Sequence, residues 1–388
     1  TLLSSFGTLV GIGGSIWLSM CLGQKNEKRA SQILYNSFVM LVVLSVCLTL
    51  GFILLKHNLI YWFGGSDTLY PYANTYLTIY TLGTFFALMS IGLNYFITGQ
   101  GYATIAMLSV CIGAITNIIF DFILIRTLKI GVAGAAIGTV VAQFISCMFV
   151  LCFLRFKSKI KLHKEELSIE KMKHIVKLGF SPFLIIASDS IILIVMNMML
   201  QKYGGNMGDI YISAITVAQS YFLLITGPLL GISSGTQPIY AYHFGAQNLK
   251  KIKEAFKIVI SFAFLFCLVM FIISMCYSNV FVAMFTNDAM TMPIADRAIK
   301  IFCLGILMMS IQYVLVDGIT GLSNVKLSLF LSLNRKLMYL GCTCLLPAFL
   351  GVSNIFYAQP TADIYASIVT IICFIKIIPS YLKSHGVK

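Results

Sequence analysis

Charge is what this 388-residue chain has least of. Asp, Glu, Lys and Arg together make 10% of it, and only 13 residues are acidic against 27 basic. A soluble domain carries about 25% charged residues. The deficit rules out an ordinary water-facing surface. No C-x-x-C pair occurs among the 11 cysteines, which fall mostly inside apolar runs, so neither a zinc site nor a secreted disulfide framework is indicated. No H-E-x-x-H and no nucleophile–base set is present, which argues against an intramembrane enzyme. There is no initiator Met, signal peptide or polar start; Thr1 opens directly into apolar sequence. The net charge of +14 sits in a few loops with no aromatic–basic module beside it, so no nucleic-acid partner is expected.

What is present in quantity is apolar. Hydrophobic residues make 59% of the chain and the mean hydropathy is +0.92. Runs long enough to cross a bilayer lie near 1–22, 31–55, 71–97, 104–126, 131–154, 178–201, 210–243, 255–283, 294–320, 326–347 and 354–381. Helices satisfy their own backbone polar groups, as the bilayer demands. The expected class is therefore an all-α polytopic membrane protein with eleven spans. Basic residues cluster at Lys25–Arg29, Arg155–Lys177, Lys250–Lys257 and the tail from Lys376 to Lys388. The positive-inside rule places these in the cytoplasm, the C-terminus with them. Residues 155–177 form a basic linker between an N-terminal bundle (1–154) and a C-terminal bundle (178–388).

The halves repeat. Gly23 and Gly245 differ by 222, and the same offset pairs Asn26 with Asn248, Leu82-Gly83 with Leu304-Gly305, and Ile97-Thr98-Gly99 with Ile319-Thr320-Gly321. An offset of 220 pairs Gly7 with Gly227, Gly11-Ile12 with Gly231-Ile232, Gly131-Val132 with Gly351-Val352 and Ala142 with Ala362. Basic loops stay in phase, so this is a parallel repeat, a common transporter plan. With six spans in the second half and five in the first, a twelve-span parent with its first helix missing is the expectation.

Four stretches, "GTQPIYAYHFGAQN" (235–248), "GAITNIIFDFILI" (113–125), "GVAGAAIGTVVAQ" (131–143) and "AQPTAD" (358–363), make the chain similar to the multidrug and toxic compound extrusion (MATE) transporters over nearly its whole length, and to the bacterial multidrug exporter branch in particular. His243 stands where that branch often has Asn, and Thr98 replaces a common arginine. The resemblance implies a V-shaped pair of six-helix bundles that exports cationic, lipophilic compounds by alternating access and antiport with Na⁺ or H⁺, across a bacterial inner membrane. It implies no cofactor beyond the coupling ion. It also implies a cation site in the N-terminal bundle: its first-helix aspartate falls upstream of Thr1, and its other members match Asn117, Asp121 and Thr139.

The residues themselves fit such chemistry. Asn117 and Asp121 are spaced i, i+4 and share a helix face. Their oxygens and the Thr139 hydroxyl suit a hard cation such as Na⁺; alternatively Asp121 could carry a proton, or simply hydrogen-bond between helices. A carboxylate inside a span is costly unless paired, protonated or facing a cavity. Asp189, Asp317 and Asp363 are therefore substrate-cavity candidates or structurally paired acids, Asp363 with Arg335 or Lys336 as its possible partner. Gln237 and Tyr240 are candidates beside them, and Tyr211, Tyr221 and Tyr242 weaker ones, for stacking on flat cations. His243 reads as an interfacial helix-end residue. Pro238 and Pro360 are expected kinks, and Gly231, Gly235 and Gly245 sites of close helix approach. A flippase for lipid-linked saccharides is the alternative function; it should prefer a basic cavity, whereas most in-span charges here are acidic. A receptor fits an internal repeat poorly. Oligomeric state is not legible.

Overall fold

The computed structural model describes residues 2–62, 70–286 and 288–387. Its first-half helices are α1 (Leu2–Gly23), α2 (Glu27–Trp62), α3 (Tyr70–Leu82), α4 (Thr84–Gly99), α5 (Ala103–Asp121), α6 (Val132–Cys152) and α7 (Ile169–Gly204). Its second-half helices are α8 (Gly208–Gly235), α9 (Gln237–Gly245), α10 (Leu249–Phe285), α11 (Thr291–Phe302), α12 (Ile306–Gly321), α13 (Val325–Leu350) and α14 (Ala358–Ser384). No strand occurs among the described residues. Among the described residues, eight helical segments are long and apolar enough to cross a membrane. The pair α3–α4, bent by 53° at Gly83, makes a ninth. Helix α13, which the sequence also offers as a span and which carries Arg335 and Lys336, is not among these segments.

Contacts divide the chain into two compact units, residues 1–183 and 184–388, with the division inside α7. In the first unit α1 packs on α2 and α4, and α6 packs on α3, α4 and α5. In the second, α12 lies against α8, α10 and α14, and α13 against α14.

The repeat is carried by the backbone. Under the offset of 222, α4 (Thr84–Gly99) maps onto α12 (Ile306–Gly321) end to end, and the first residues of α2 and α5 map onto those of α10 and α13. The turns between them repeat as well. Asn26 N–H reaches back to Cys21 C=O at 2.9 Å, and Asn248 N–H to His243 C=O at 2.9 Å, the six-to-one bond of a Schellman ending. The residues that make those turns left-handed correspond: Lys25 (φ 58°) and Gln247 (φ 56°), then Gly101 (φ 90°) and Ser323 (φ 64°). At the 220 offset, Gly131 (φ 69°) and Gly351 (φ 90°) open the next helical segments; here the φ itself calls for glycine.

The basic linker is only half a loop. From Ile169 it is the first turns of α7. Before that, it is bound to the first unit by side-chain amides. Gln100 donates to Ile160 C=O (3.2 Å) and accepts from its N–H (2.7 Å), while Asn36 donates to Glu166 C=O (3.0 Å) and accepts from Ser168 N–H (2.9 Å).

One expectation needs placing and one needs correction. Pro238 stands just after a break at Thr236 that divides the apolar segment Ile210–Gly245, in the first turn of α9, and Pro360 in the first turn of α14. A first-turn residue has no intrahelical acceptor for its N–H, so proline loses nothing there. The interior prolines are Pro182, Pro228, Pro347 and Pro379. Gly231 and Gly235 are not sites of close approach: a Cβ on either would meet no atom of the described residues within 4 Å. Tight glycines include Gly11, Gly13 and Gly179 in the first unit and Gly305, Gly318 and Gly321 in the second. A Cβ on Gly13 or Gly179 would overlap the carbonyl of Ile175 or Leu9 respectively, so α1 and α7 meet there backbone to backbone.

Candidate functional site

Helices α4, α5 and α6 of the first unit leave between them a cavity of about 500 Å³. Its polar lining comes from Ser90, Asn94, Tyr95, Thr98, Asn117, Thr139, Gln143 and Ser146, and its apolar lining includes Ile91, Val110, Gly113 and Ala114. Among the described residues, no Lys, Arg, Asp or Glu lines it. The polar groups hold one another in place. Asn94 donates to Ala106 C=O at 3.0 Å and also bonds Ser109, and Ser146 donates to Ser109 C=O at 3.0 Å. The carbonyl oxygen of the Gln143 side chain is buried and has no hydrogen-bond donor among the described residues.

The i, i+4 spacing on α5 brings Asn117 and Asp121 together, and α6 adds Thr139. The Asn117 amide donates to Asp121 Oδ1 at 3.4 Å and to Thr139 Oγ1 at 3.5 Å, both long bonds that hold it loosely. Asn117 and Thr139 line the cavity, while Asp121 stands one turn beyond, at the end of α5, where the helix widens into a π-helical turn over Phe122–Thr127. Such turns recur at functional sites. Space for the carboxylate is made by Gly138 on α6, where a Cβ would collide with Asp121 Oδ1. Sequence reasoning quoted Gly138 within a motif without seeing this role. Its signal was the i+1 relation to Thr139.

The remaining candidates lie in the second unit, and none lines this cavity. They form three groups. Gln237 donates to Asp317 Oδ1 at 2.9 Å, and Tyr240, wholly buried, stacks on Phe256 at 4.3 Å. Gly321 lets α12 approach this group, its missing Cβ facing the Gln237 carbonyl at 2.7 Å. Asp363, wholly buried, accepts from Arg335 Nε at 2.8 Å and from Gln359 at 2.8 Å, and Arg335 Nη1 donates to Tyr313 at 3.0 Å. Asp189 pairs with Lys336, with the lysine 11% exposed and the aspartate 57%. The tyrosines are dispersed: Tyr221 bonds Ser274 at 3.0 Å, Tyr211 packs near Phe356, and Tyr242 is exposed beside His243 in the last turns of α9. Sequence reasoning set Asp363 against Arg335 or Lys336 but had no sign of the Asp189–Lys336 or Gln237–Asp317 pairings, whose members are 147 and 80 residues apart.

Known proteins resemble this chain in sequence and fold. The Multidrug export protein MepA of Staphylococcus haemolyticus is 25% identical over 369 residues, covering 93% of this chain and 79% of that protein. MepA of Staphylococcus aureus is 22% identical over 367 residues, covering 93% and 80%. Among solved structures, the outward-facing conformation of a multidrug resistance MATE family transporter of the MOP superfamily superposes with a TM-score of 0.92 at 22% identity, over 99% of this chain and 86% of that one. A MOP superfamily transporter from Pyrococcus furiosus, described as having a binding pocket of reverse polarity, superposes with a TM-score of 0.92 at 21% identity, over 98% and 86%. The MatE family model matches residues 1–123 and 186–339, one stretch in each half of the repeat and together most of the chain. A doubled bundle of apolar helices and a match to one family in both halves lead to a single assignment: the chain belongs to the MatE family, the multidrug and toxic compound extrusion transporters.

Proposed function

We propose that the protein exports lipophilic organic cations from the cell by antiport with Na⁺ or H⁺, through the cavity of the first unit. One observation carries this reading: a cavity without fixed charge that ends in one carboxylate, Asp121, reached through Asn117 and Thr139. A carboxylate at membrane depth costs about 3 kcal/mol unless compensated, and Asp121 has no salt-bridge partner among the described residues. A cation or a proton relieves that cost. Sodium would enter as cargo, held by the Asp121 carboxylate, the Thr139 hydroxyl and, after a half-turn of its amide, the Asn117 oxygen, a hard-oxygen set. Return of the carboxylate to its bare state at each cycle would couple ion entry to export. Tyr95, Ile91 and Val110 offer apolar and aromatic surface to a flat cation, and the donor-free Gln143 oxygen can accept from a cationic N–H. The MepA proteins are named for multidrug export, in keeping with this reading. The cavity has no basic lining to hold a lipid pyrophosphate, which weighs against the flippase alternative.

Efflux of a cationic dye from proteoliposomes, under Na⁺ and H⁺ gradients imposed separately, tests this. Asp121→Asn should fall to the leak of protein-free vesicles under both gradients while reconstituting to the same protein level. Normal gradient-driven efflux by that variant would overturn the assignment of Asp121. Absence of dye movement by the unsubstituted protein would overturn the substrate class.

A further inference from the structure

The repeat places a counterpart of the first unit's cavity in the second unit. Carried across by the same offsets, the lining residues Ile91, Gly113, Thr139 and Gln143 correspond to Tyr313, Arg335, Gln359 and Asp363. These four are in contact. The Arg335 guanidinium bonds Asp363 Oδ1 at 2.8 Å and Tyr313 at 3.0 Å, lies 5.0 Å from the Tyr313 ring centre, and leaves Gln359 on the second carboxylate oxygen at 2.8 Å. Where the first unit has an open cavity, the second has a buried guanidinium in a nest of carboxylate, phenol and aromatic face. That nest is what a receptor for a planar organic cation would offer.

We propose that the second unit contains a latent copy of the cation cleft, closed by Arg335 acting as a tethered ligand, and that the residue at this repeat position, Gly113 or Arg335, decides which cleft accepts a free cation. The class it would take is an amidinium or guanidinium, the group that already fills it. Gly113 has the converse property: a Cβ there would touch nothing nearer than Ser146 Cβ at 3.4 Å, so an arginine has room to grow into the first unit's cavity. The inference concerns binding alone, and its test does not depend on whether the protein exports dyes.

The test is equilibrium binding of benzamidinium to the purified full chain in detergent, read as equivalents per chain. Arg335→Gly should gain one equivalent over the unsubstituted protein, and Arg335→Gly with Asp363→Asn should lose that gain by at least about tenfold in affinity. Gly113→Arg should lose whatever benzamidinium the unsubstituted protein binds. If the folded Arg335→Gly protein gains no equivalent, or takes up methylguanidinium but not benzamidinium, the vacated space is only a refilled hole and the proposal fails. Should Arg335→Gly not survive purification, Gly113→Arg decides: a variant that still binds benzamidinium as before refutes the rule at this position.

Discussion

The two units share a register to the residue yet fill the same place in opposite ways. Between α4, α5 and α6 of the first unit is a cavity without fixed charge, bordered by hydroxyls and amides. At the matching positions of the second unit stand an arginine, a tyrosine, a glutamine and an aspartate, bonded to one another and buried. The fold therefore does not dictate what occupies this place. The left-handed turns and the lengths of α4 and α12 are held constant, and a handful of side chains makes one cleft open and the other closed.

The largest effect should come from breaking the closed cleft. Asp363→Ala would leave Arg335 buried without its counter-ion, and removing one partner of a buried ion pair costs about 3–5 kcal/mol. Thermal unfolding in detergent should show a marked loss for Asp363→Ala. Replacing both partners with apolar residues, Arg335→Met with Asp363→Leu, should recover most of it, because desolvating the pair costs nearly as much as its attraction returns. In the first unit the matching Gln143→Ala should cost far less. Equal losses at Gln143 and Asp363 would mean that the two clefts do not differ in the way described.

A smaller contrast concerns glycine. Gly11 and Gly231 are repeat partners, yet a Cβ on Gly11 would stand 2.6 Å from the Tyr95 ring and 2.8 Å from the Gly92 carbonyl, whereas one on Gly231 meets no described atom within 4 Å. Gly11→Ala forces α1 away from α4 and is expected to cost about 1–3 kcal/mol. Gly231→Ala relieves a helix of glycine and is expected to be neutral or stabilising by up to about 1 kcal/mol. Unfolding midpoints of the two variants should move in opposite directions, or Gly231's should stay unchanged.

How much of this the sequence shows depends on the kind of residue. Apolar runs mark the helices, because the bilayer leaves few alternatives. Gly131 with Gly351, and Asn26 with Asn248, mark the repeat, because left-handed turns and helix caps admit few residue types. Asn117 and Asp121 were readable as a pair, since four residues of helix separate them; Thr139, their partner on α6, followed only from the family resemblance. The identities that reveal the repeat stop at Gly99 and Gly321 and resume at Gly131 and Gly351, so α5 and α13, where Gly113 corresponds to Arg335, lie in the stretch that diverged. Asp189 with Lys336, and Gln237 with Asp317, join helices far apart in the chain, and nothing local in either segment announces its partner.

The weakest test is also the most direct on the repeat itself. Asn26 caps α2 by accepting from Arg29 N–H at 3.0 Å, and Asn248 caps α10 by accepting from Lys251 N–H at 3.0 Å. Each follows a left-handed residue and a six-to-one backbone bond, so the turn around each cap is the same object built twice. An alanine at either position removes one acceptor from an otherwise unsatisfied helix end, worth about 1 kcal/mol. Asn26→Ala and Asn248→Ala should therefore lower stability by similar small amounts, and the double variant by their sum, since residues in separate turns that share no partner add. The comparison with the clefts is then direct. Where the repeat conserves a turn, its two copies should answer a substitution alike; where it has exchanged a glycine for an arginine, they should not. Strongly unequal losses at the two caps would show that the copies differ even where their geometry coincides.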